Sequence, residues 1–267
     1  RNMIKKLFCA CIYLYQGSAV RNLQDHTVVD NDAARLAAYY CNNNADRIIV
    51  FDQSNTDEEH ELALDTIKKI AIACEVPVIG AGNVKRMEDV KKLLYAGCAK
   101  AVLNYSKESN IEITEEVSQK FGKSKILVSY TDTGSLEAHK DLLKEYVSEL
   151  ICLDKNQVKN NTGIPTICSL EKATPEEAKE ILLTDHVSGL TGNVINDTIE
   201  DTFSQKISLA KEGVLVSACE AAMKWSDFKL NSEQMLPVIV QDYKTNEVLM
   251  MAYMNEEAYN FTITTGK

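Results

Sequence analysis

The chain has 267 residues, a formal net charge of -10, and 45% hydrophobic and 25% charged residues. That length suits one α/β barrel of about 250 residues, or two smaller domains. The acidic balance excludes an electrostatic footprint for nucleic acid or an anionic membrane, and leaves local basic pockets for a phosphorylated metabolite.

Arg1, Lys5 and Lys6 ahead of LFCACIYLY imitate a secretory signal. The run reads better as a first strand over 6–15, and no stretch is long enough to span a bilayer. Further apolar β-prone runs follow at 47–51, 76–79, 100–103, 125–129, 149–153, 164–168 and 187–190. They are continuous rather than alternating, as strands buried on both faces are. Amphipathic stretches separate most of them. Leu62, Ile67, Ile70 and Ala71 recur at helical spacing, as do Met87, Val90, Leu93 and Leu94 before Gly97. Thr174, Pro175 and Glu177 form a capping box with proline at the first helical position. Eight strands with helices between them predict a TIM-type (β/α)8 barrel over residues 1–224. Only DKNQVKNNTG separates the sixth and seventh strands. A parallel crossover needs about a dozen residues or more, so the sixth helix is expected to be reduced to a turn.

Residues 76–97 align without gaps to 164–185, which predicts a barrel built from two similar halves. Beyond about residue 225 the pattern changes. MLPVIVQDYKTNEVLMMAYMN reads as a β-hairpin around Lys244-Thr245-Asn246, followed by a helix capped by Asn255. A boundary near Lys224–Asn231 separates the barrel from this hairpin and helix fragment at 232–267, with Trp225 and Phe228 expected at the junction.

None of the eight cysteines forms a C-x-x-C pair, and four histidines lie at no metal-ligand spacing, so no metal site is expected. Buried free thiols suit a reducing, cytoplasmic compartment. His26, His60, His139 and His186 read as solvated or locally bonded, and Asp25-His26 as a loop pair.

Barrel active sites lie at the C-terminal ends of the strands. The residues there are Asp52 after strand two, Gly80-Ala81-Gly82-Asn83 after strand three, Asn104, Tyr105 and Ser106 after strand four, Thr131, Asp132 and Thr133 after strand five, and Thr191-Gly192 after strand eight. A glycine loop before a helix lets backbone N–H groups approach an anion. These residues, and above all the segment 45–106, resemble the paired barrels of histidine biosynthesis, ProFAR isomerase and the cyclase subunit of imidazole glycerol phosphate synthase. The resemblance implies a twofold-repeated barrel that binds a phosphate at each end of its substrate. It implies aspartates as acid and base at the ends of strands one and five. Here those positions hold Tyr13 and Thr131. Asp132 is one residue late, which turns a strand side chain to the other face. The resemblance carries Gly80, Gly82, Asn104 and Ser106 to one phosphate, and Thr191 and Gly192 to the other. The seventh-strand loop has become Ser169-Leu170-Glu171-Lys172, whose carboxylate suits a phosphate badly. General acid–base work needs a titratable group in reach, so the isomerisation is expected to be lost. The competing expectation is an active sugar-phosphate isomerase that relocates its chemistry to Asp52 and Asp132. A third is a module that binds a phosphorylated metabolite.

Residues 236–267 resemble the opening of phosphoribosyl-AMP cyclohydrolase, through Val240-Gln241-Asp242, Val248-Leu249-Met250, Ala252-Tyr253-Met254-Asn255, Glu257-Ala258 and Thr265-Gly266. The resemblance implies a fusion to a zinc-dependent hydrolase with magnesium at a second site, whose metal ligands would lie beyond Lys267. The parent would be a cyclohydrolase, with or without phosphoribosyl-ATP diphosphatase, and the barrel its scaffold or regulatory module. The expected partners are a phosphoribosyl metabolite or phosphate ion and, through hairpin residues such as Leu249 and Met251, a second copy of the chain.

Overall fold

The computed structural model describes residues 3–267. The chain divides into two compact units. One runs to Thr202 and includes Val214–Ser217; the other comprises Phe203–Gly213 and Ala218–Lys267.

The first unit is a closed barrel. Its strands are β1 (Leu7–Tyr15), β4 (Arg47–Asp52), β5 (Val78–Ala81), β6 (Lys100–Asn104), β7 (Ile126–Tyr130), β8 (Glu149–Cys152), β9 (Thr166–Ser169) and β10 (Val187–Thr191). Each pairs in parallel with the next, and β10 closes on β1 with Leu7 opposite Gly189. Cys9, Cys11, Tyr13, Ile49, Phe51, Ile79, Val102, Leu127, Ile151 and Ile167 pack inside. The alternate residues, among them Ile12, Ile48, Val50 and Val128, are buried under the outer layer. Burial on both faces is why these strands are continuous apolar runs.

Between them run α1 (Ala33–Asn42), α2 (Asp57–Ala73), α3 (Met87–Tyr95), α4 (Glu108–Glu112), α5 (Thr114–Phe121), α6 (Thr133–Ala138), α7 (Lys140–Tyr146) and α8 (Pro175–Leu182), and α9 (Asn193–Asn196) follows β10. Helix α2 begins where Thr56 accepts a hydrogen bond from the Glu59 N–H, and Asp57, Glu58 and Glu59 complement the helix dipole. The sixth crossover is reduced as expected: between β8 and β9 lies a single three-residue 3-10 turn, Lys155–Gln157. Val158, Thr162 and Ile164 are buried there in place of a helix. The internal repeat is also realised. Strand and helix begin at Val78 and Met87 in one half and at Thr166 and Pro175, at the same spacing, in the other.

One feature was not anticipated. After β1 the chain turns through Gln16 and Gly17, both at positive φ, into β2 (Ser18–Val20) and β3 (Val28–Asp30), which extend the sheet antiparallel beside β1. Two consecutive positive φ values are the signature of a tight hairpin turn.

The second unit holds α10 (Thr202–Lys211) from Phe203 onward, which lies within the span expected for the barrel, and β11 (Leu236–Gln241), β12 (Val248–Met254) and α11 (Glu256–Thr265). Strands β11 and β12 pair antiparallel with a bulge at Val240/Gln241. Asp242 accepts from the Lys244 and Thr245 N–H groups and shapes the turn. Asn255 caps α11, accepting from the Ala258 N–H at 2.8 Å. Trp225 and Phe228 pack with Tyr259 in one aromatic cluster. Leu249 and Met251 are more than half exposed.

Candidate functional site

The mouth of the barrel, at the C-terminal strand ends, has two unlike halves. In the first, Asp52 ends β4 with a fully buried side chain. One carboxylate oxygen accepts from the Ser54 N–H and hydroxyl at 2.9 and 2.5 Å. The other pairs with His60 Nδ1, from α2, at 2.5 Å. The bond from Asp52 raises the His60 pKa, against an opposing effect of burial. Asp52, expected as a relocated acid or base, is thus tied up on both oxygens and anchors the strand end to α2.

The next loop lies on the Asp52 backbone. Gly82 has φ +92°, and a Cβ there would meet the Asp52 carbonyl oxygen at 2.1 Å. Only glycine fits that approach. Asn83 donates its side-chain amide to the same oxygen at 3.1 Å. Gly80, expected in this loop, lies within β5 instead, where a Cβ would meet Leu93 at 2.8 Å. Asn104, at the end of β6, accepts from the Ser106 N–H and hydroxyl at 3.0 and 2.6 Å, so Ser106 shapes the turn. Phe51, Asp52, Ser54, Gly82, Asn83, Asn104, Lys107 and Ser129 line a cavity of about 270 Å³. Lys107 supplies its cation. Sequence reasoning missed this residue; the signal was a lysine immediately before the helix that follows strand four.

The second half is filled from within. Glu171, two residues past β9, accepts from the Tyr13 hydroxyl through one oxygen and from the Asn193 side-chain amide, at 2.5 Å, through the other. Asn193 begins α9 directly after Thr191 and Gly192, the expected phosphate residues. Gly192 has φ +94°, and its Cβ would meet the Leu170 carbonyl oxygen at 2.5 Å. A carboxylate of the chain thus sits beside the residues expected to hold a second phosphate. Tyr13 is 2% exposed and stacks on Phe51 with centroids 5.4 Å apart. Burial first, then neighbouring Cys11 and Glu171, push its pKa far above the ordinary tyrosine range.

The remaining candidates stand apart. Asp132 is an exposed N-cap of α6 and accepts from the Gly134 N–H at 2.9 Å. Thr131 beside it is exposed. His26 stacks on Tyr15 and pairs with Gln53 at 3.0 Å, while Asp25 accepts from Thr27 within its own loop. Among the described residues no group of three or more His, Cys, Asp or Glu side chains is placed to hold a metal ion. No helix among them is long and apolar enough to cross a membrane.

Residues 8–189 match the family described as "Histidine biosynthesis protein". The imidazole glycerol phosphate synthase subunit HisF of Staphylococcus saprophyticus subsp. saprophyticus is 26% identical over 249 residues, which cover 79% of this chain and 98% of that protein. The HisF subunit of Staphylococcus aureus strain JH9 is 31% identical over 128 residues, covering 48% of this chain and 51% of that protein.

Proposed function

The chain belongs to the histidine biosynthesis protein family, and from that premise we propose that its barrel binds one phosphorylated metabolite without turning it over. The observation that carries this reading is the Tyr13–Glu171 hydrogen bond. A protonated phenol stands where the resemblance expects the first catalytic aspartate, and a carboxylate stands in the second half of the mouth. Thr131 offers no acid or base at the fifth strand, and Asp132 is held outside as a helix cap. The first half keeps the Gly82 loop, Asn104 and the Lys107 cation around a cavity of about 270 Å³. That volume suits a phosphate with a pentose-sized group attached.

Titration calorimetry tests the reading, with inorganic phosphate and a phosphoribosyl nucleotide as separate probes. One site per chain is expected, with tighter binding of the nucleotide and a loss of affinity of about tenfold or more in Lys107→Glu. Flat titrations with both probes contradict it.

For residues 232–267 we infer the opening of a phosphoribosyl-AMP cyclohydrolase domain, to which the barrel serves as scaffold or regulatory module. Support comes from the sequence resemblance and from the exposed apolar side chains of β11 and β12, such as Ile239 and Val248, which suit a partner surface. Hydrolysis of phosphoribosyl-AMP by the protein expressed from its intact coding sequence would support this inference. Absence of turnover in zinc-loaded, folded protein would contradict it.

A further inference from the structure

We propose that Cys152 and Cys168 form a peroxide-oxidisable dithiol on the outer wall of the barrel. The two residues are register partners on the adjacent parallel strands β8 and β9. Their neighbours Ile151 and Ile167 face the interior, so both thiols point outward on the same face. Paired strands run about 4.8 Å apart, inside the roughly 4.4–6.8 Å Cα spacing that disulfides use.

Elsewhere a helix covers that face of the barrel. Here the reduced crossover covers it. The Tyr130 hydroxyl donates to the Gln157 carbonyl at 3.1 Å, and the Asn160 amide donates to the Tyr130 hydroxyl at 3.3 Å. The Cys152 thiol donates to the Asp154 carbonyl at 3.0 Å. The two sulfurs also interact with each other. The hydrogen bond from Cys168 holds the Cys152 thiol down, to about 7, against the effect of burial, while Cys168 is pushed up by the same contact. Cys98 is different: burial pushes its thiol up to about 12. Cys152 is the thiol bonded to the crossover, through the Asp154 carbonyl, so it is the one released when the crossover opens, and Cys168 is the resolving thiol.

The oxidation balances with hydrogen peroxide as the oxidant. Once exposed, the Cys152 thiol gives its proton to solvent and its sulfur attacks one peroxide oxygen; the O–O bond breaks, and the departing hydroxide takes a proton back from solvent to leave as water. Cys152 is then a sulfenic acid. The Cys168 sulfur attacks the Cys152 sulfur, the S–S bond forms and the S–O bond breaks. The hydroxide leaves as water with the Cys168 proton. Two thiols lose two electrons, and peroxide becomes two waters. Both cysteines are fully buried. Peroxide therefore reaches them only when the crossover over 153–165 opens, which breaks bonds such as those that the Gln157 and Val158 carbonyls accept from Tyr130 and His186.

The test uses the full chain carrying Cys219→Ser, which removes an exposed thiol. The protein is exposed to hydrogen peroxide, trapped with an alkylating agent in denaturant, and read by intact mass and peptide mapping. The mass should fall by two hydrogens, a Cys152–Cys168 linked peptide should appear, and it should form at least about tenfold faster than Cys98 is modified. Asn160→Ala, which loosens the cover, should speed it further. Full alkylation of both thiols after peroxide overturns the proposal. So does sulfinic acid on either thiol without the linked peptide. Cys168→Ser should block the link. If that variant does not fold, the peptide map of the parent chain decides alone.

Discussion

The Tyr13 hydroxyl, inside the barrel, donates to the carboxylate of Glu171 beyond the seventh barrel strand. The bond joins the first barrel strand to the loop after the seventh. Burial and its neighbours raise the Tyr13 pKa, so the folded protein keeps a proton that the unfolded chain releases near pH 10. Stability from this group is fully present below that value and falls as pH rises above it, by up to about 1.4 kcal/mol per pH unit for one proton. Tyr105, pushed up to about 12 by burial, adds to the same fall. Urea midpoints measured from pH 8 to 11 should drop steeply in the parent chain and less steeply in Tyr13→Phe. Equal slopes would mean that Tyr13 titrates alike in both states.

Gly82 lies against the Asp52 backbone at positive φ, whereas Gly122, also at positive φ, has nothing within 4 Å of where its Cβ would be. Alanine at Gly122 meets only the backbone preference, about 1 kcal/mol. Alanine at Gly82 must also displace a strand end. Denaturant unfolding should give Gly82→Ala the larger loss, by at least about 1 kcal/mol. The same substitution should weaken phosphate binding, because the loop and the anion pocket move together.

His60 is buried against Asp52, and that contact raises its pKa. A group raised on folding stabilises fully below its unfolded value, near 6.5, and the contribution is lost as pH rises through the folded value. Stability should therefore decline from pH 6 towards pH 8 in the parent chain and lose that component in His60→Gln. An imidazole titration by NMR checks the direction independently: a midpoint below 6.5 contradicts the assignment.

At the opposite end of the barrel, Glu149 is shared by Arg47 at 2.8 Å and Lys100 at 2.6 Å. All three side chains are largely buried. Removing the carboxylate leaves two cations without their counter-charge. Glu149→Ala should cost about 3 kcal/mol in equilibrium unfolding, at the lower end for a broken buried pair. Removing one of the stranded cations with a second change, Lys100→Met, should recover part of that loss.

The barrel strands were legible in the sequence because burial on both faces leaves an unbroken apolar run, as in Arg47–Asp52. The reduced sixth crossover was legible as a short polar link without helical period. The β2–β3 hairpin was not, because strands of three residues carry no period. Only the Gln16–Gly17 turn hinted at it. At the site, the glycine pattern marked Gly82 but equally marked Gly80, since both are glycines for packing reasons that only the neighbours Asp52 and Leu93 distinguish. Glu171 was read as a carboxylate hostile to phosphate. Its bonds to Tyr13 and Asn193 join residues far apart in the chain and have no local signature. His60 looked unremarkable for the same reason: its meaning comes from Asp52, which approaches from the preceding strand.

A barrel that binds its ligand without turning it over should be silent in an assay of ProFAR conversion by the purified chain. No conversion above background is expected in the parent protein, with no change in Asp52→Asn or Asp132→Asn, while calorimetry on the same samples reports one phosphoribosyl nucleotide bound per chain. Conversion that Asp52→Asn or Asp132→Asn abolishes would contradict it, and would assign the acid–base chemistry to those carboxylates.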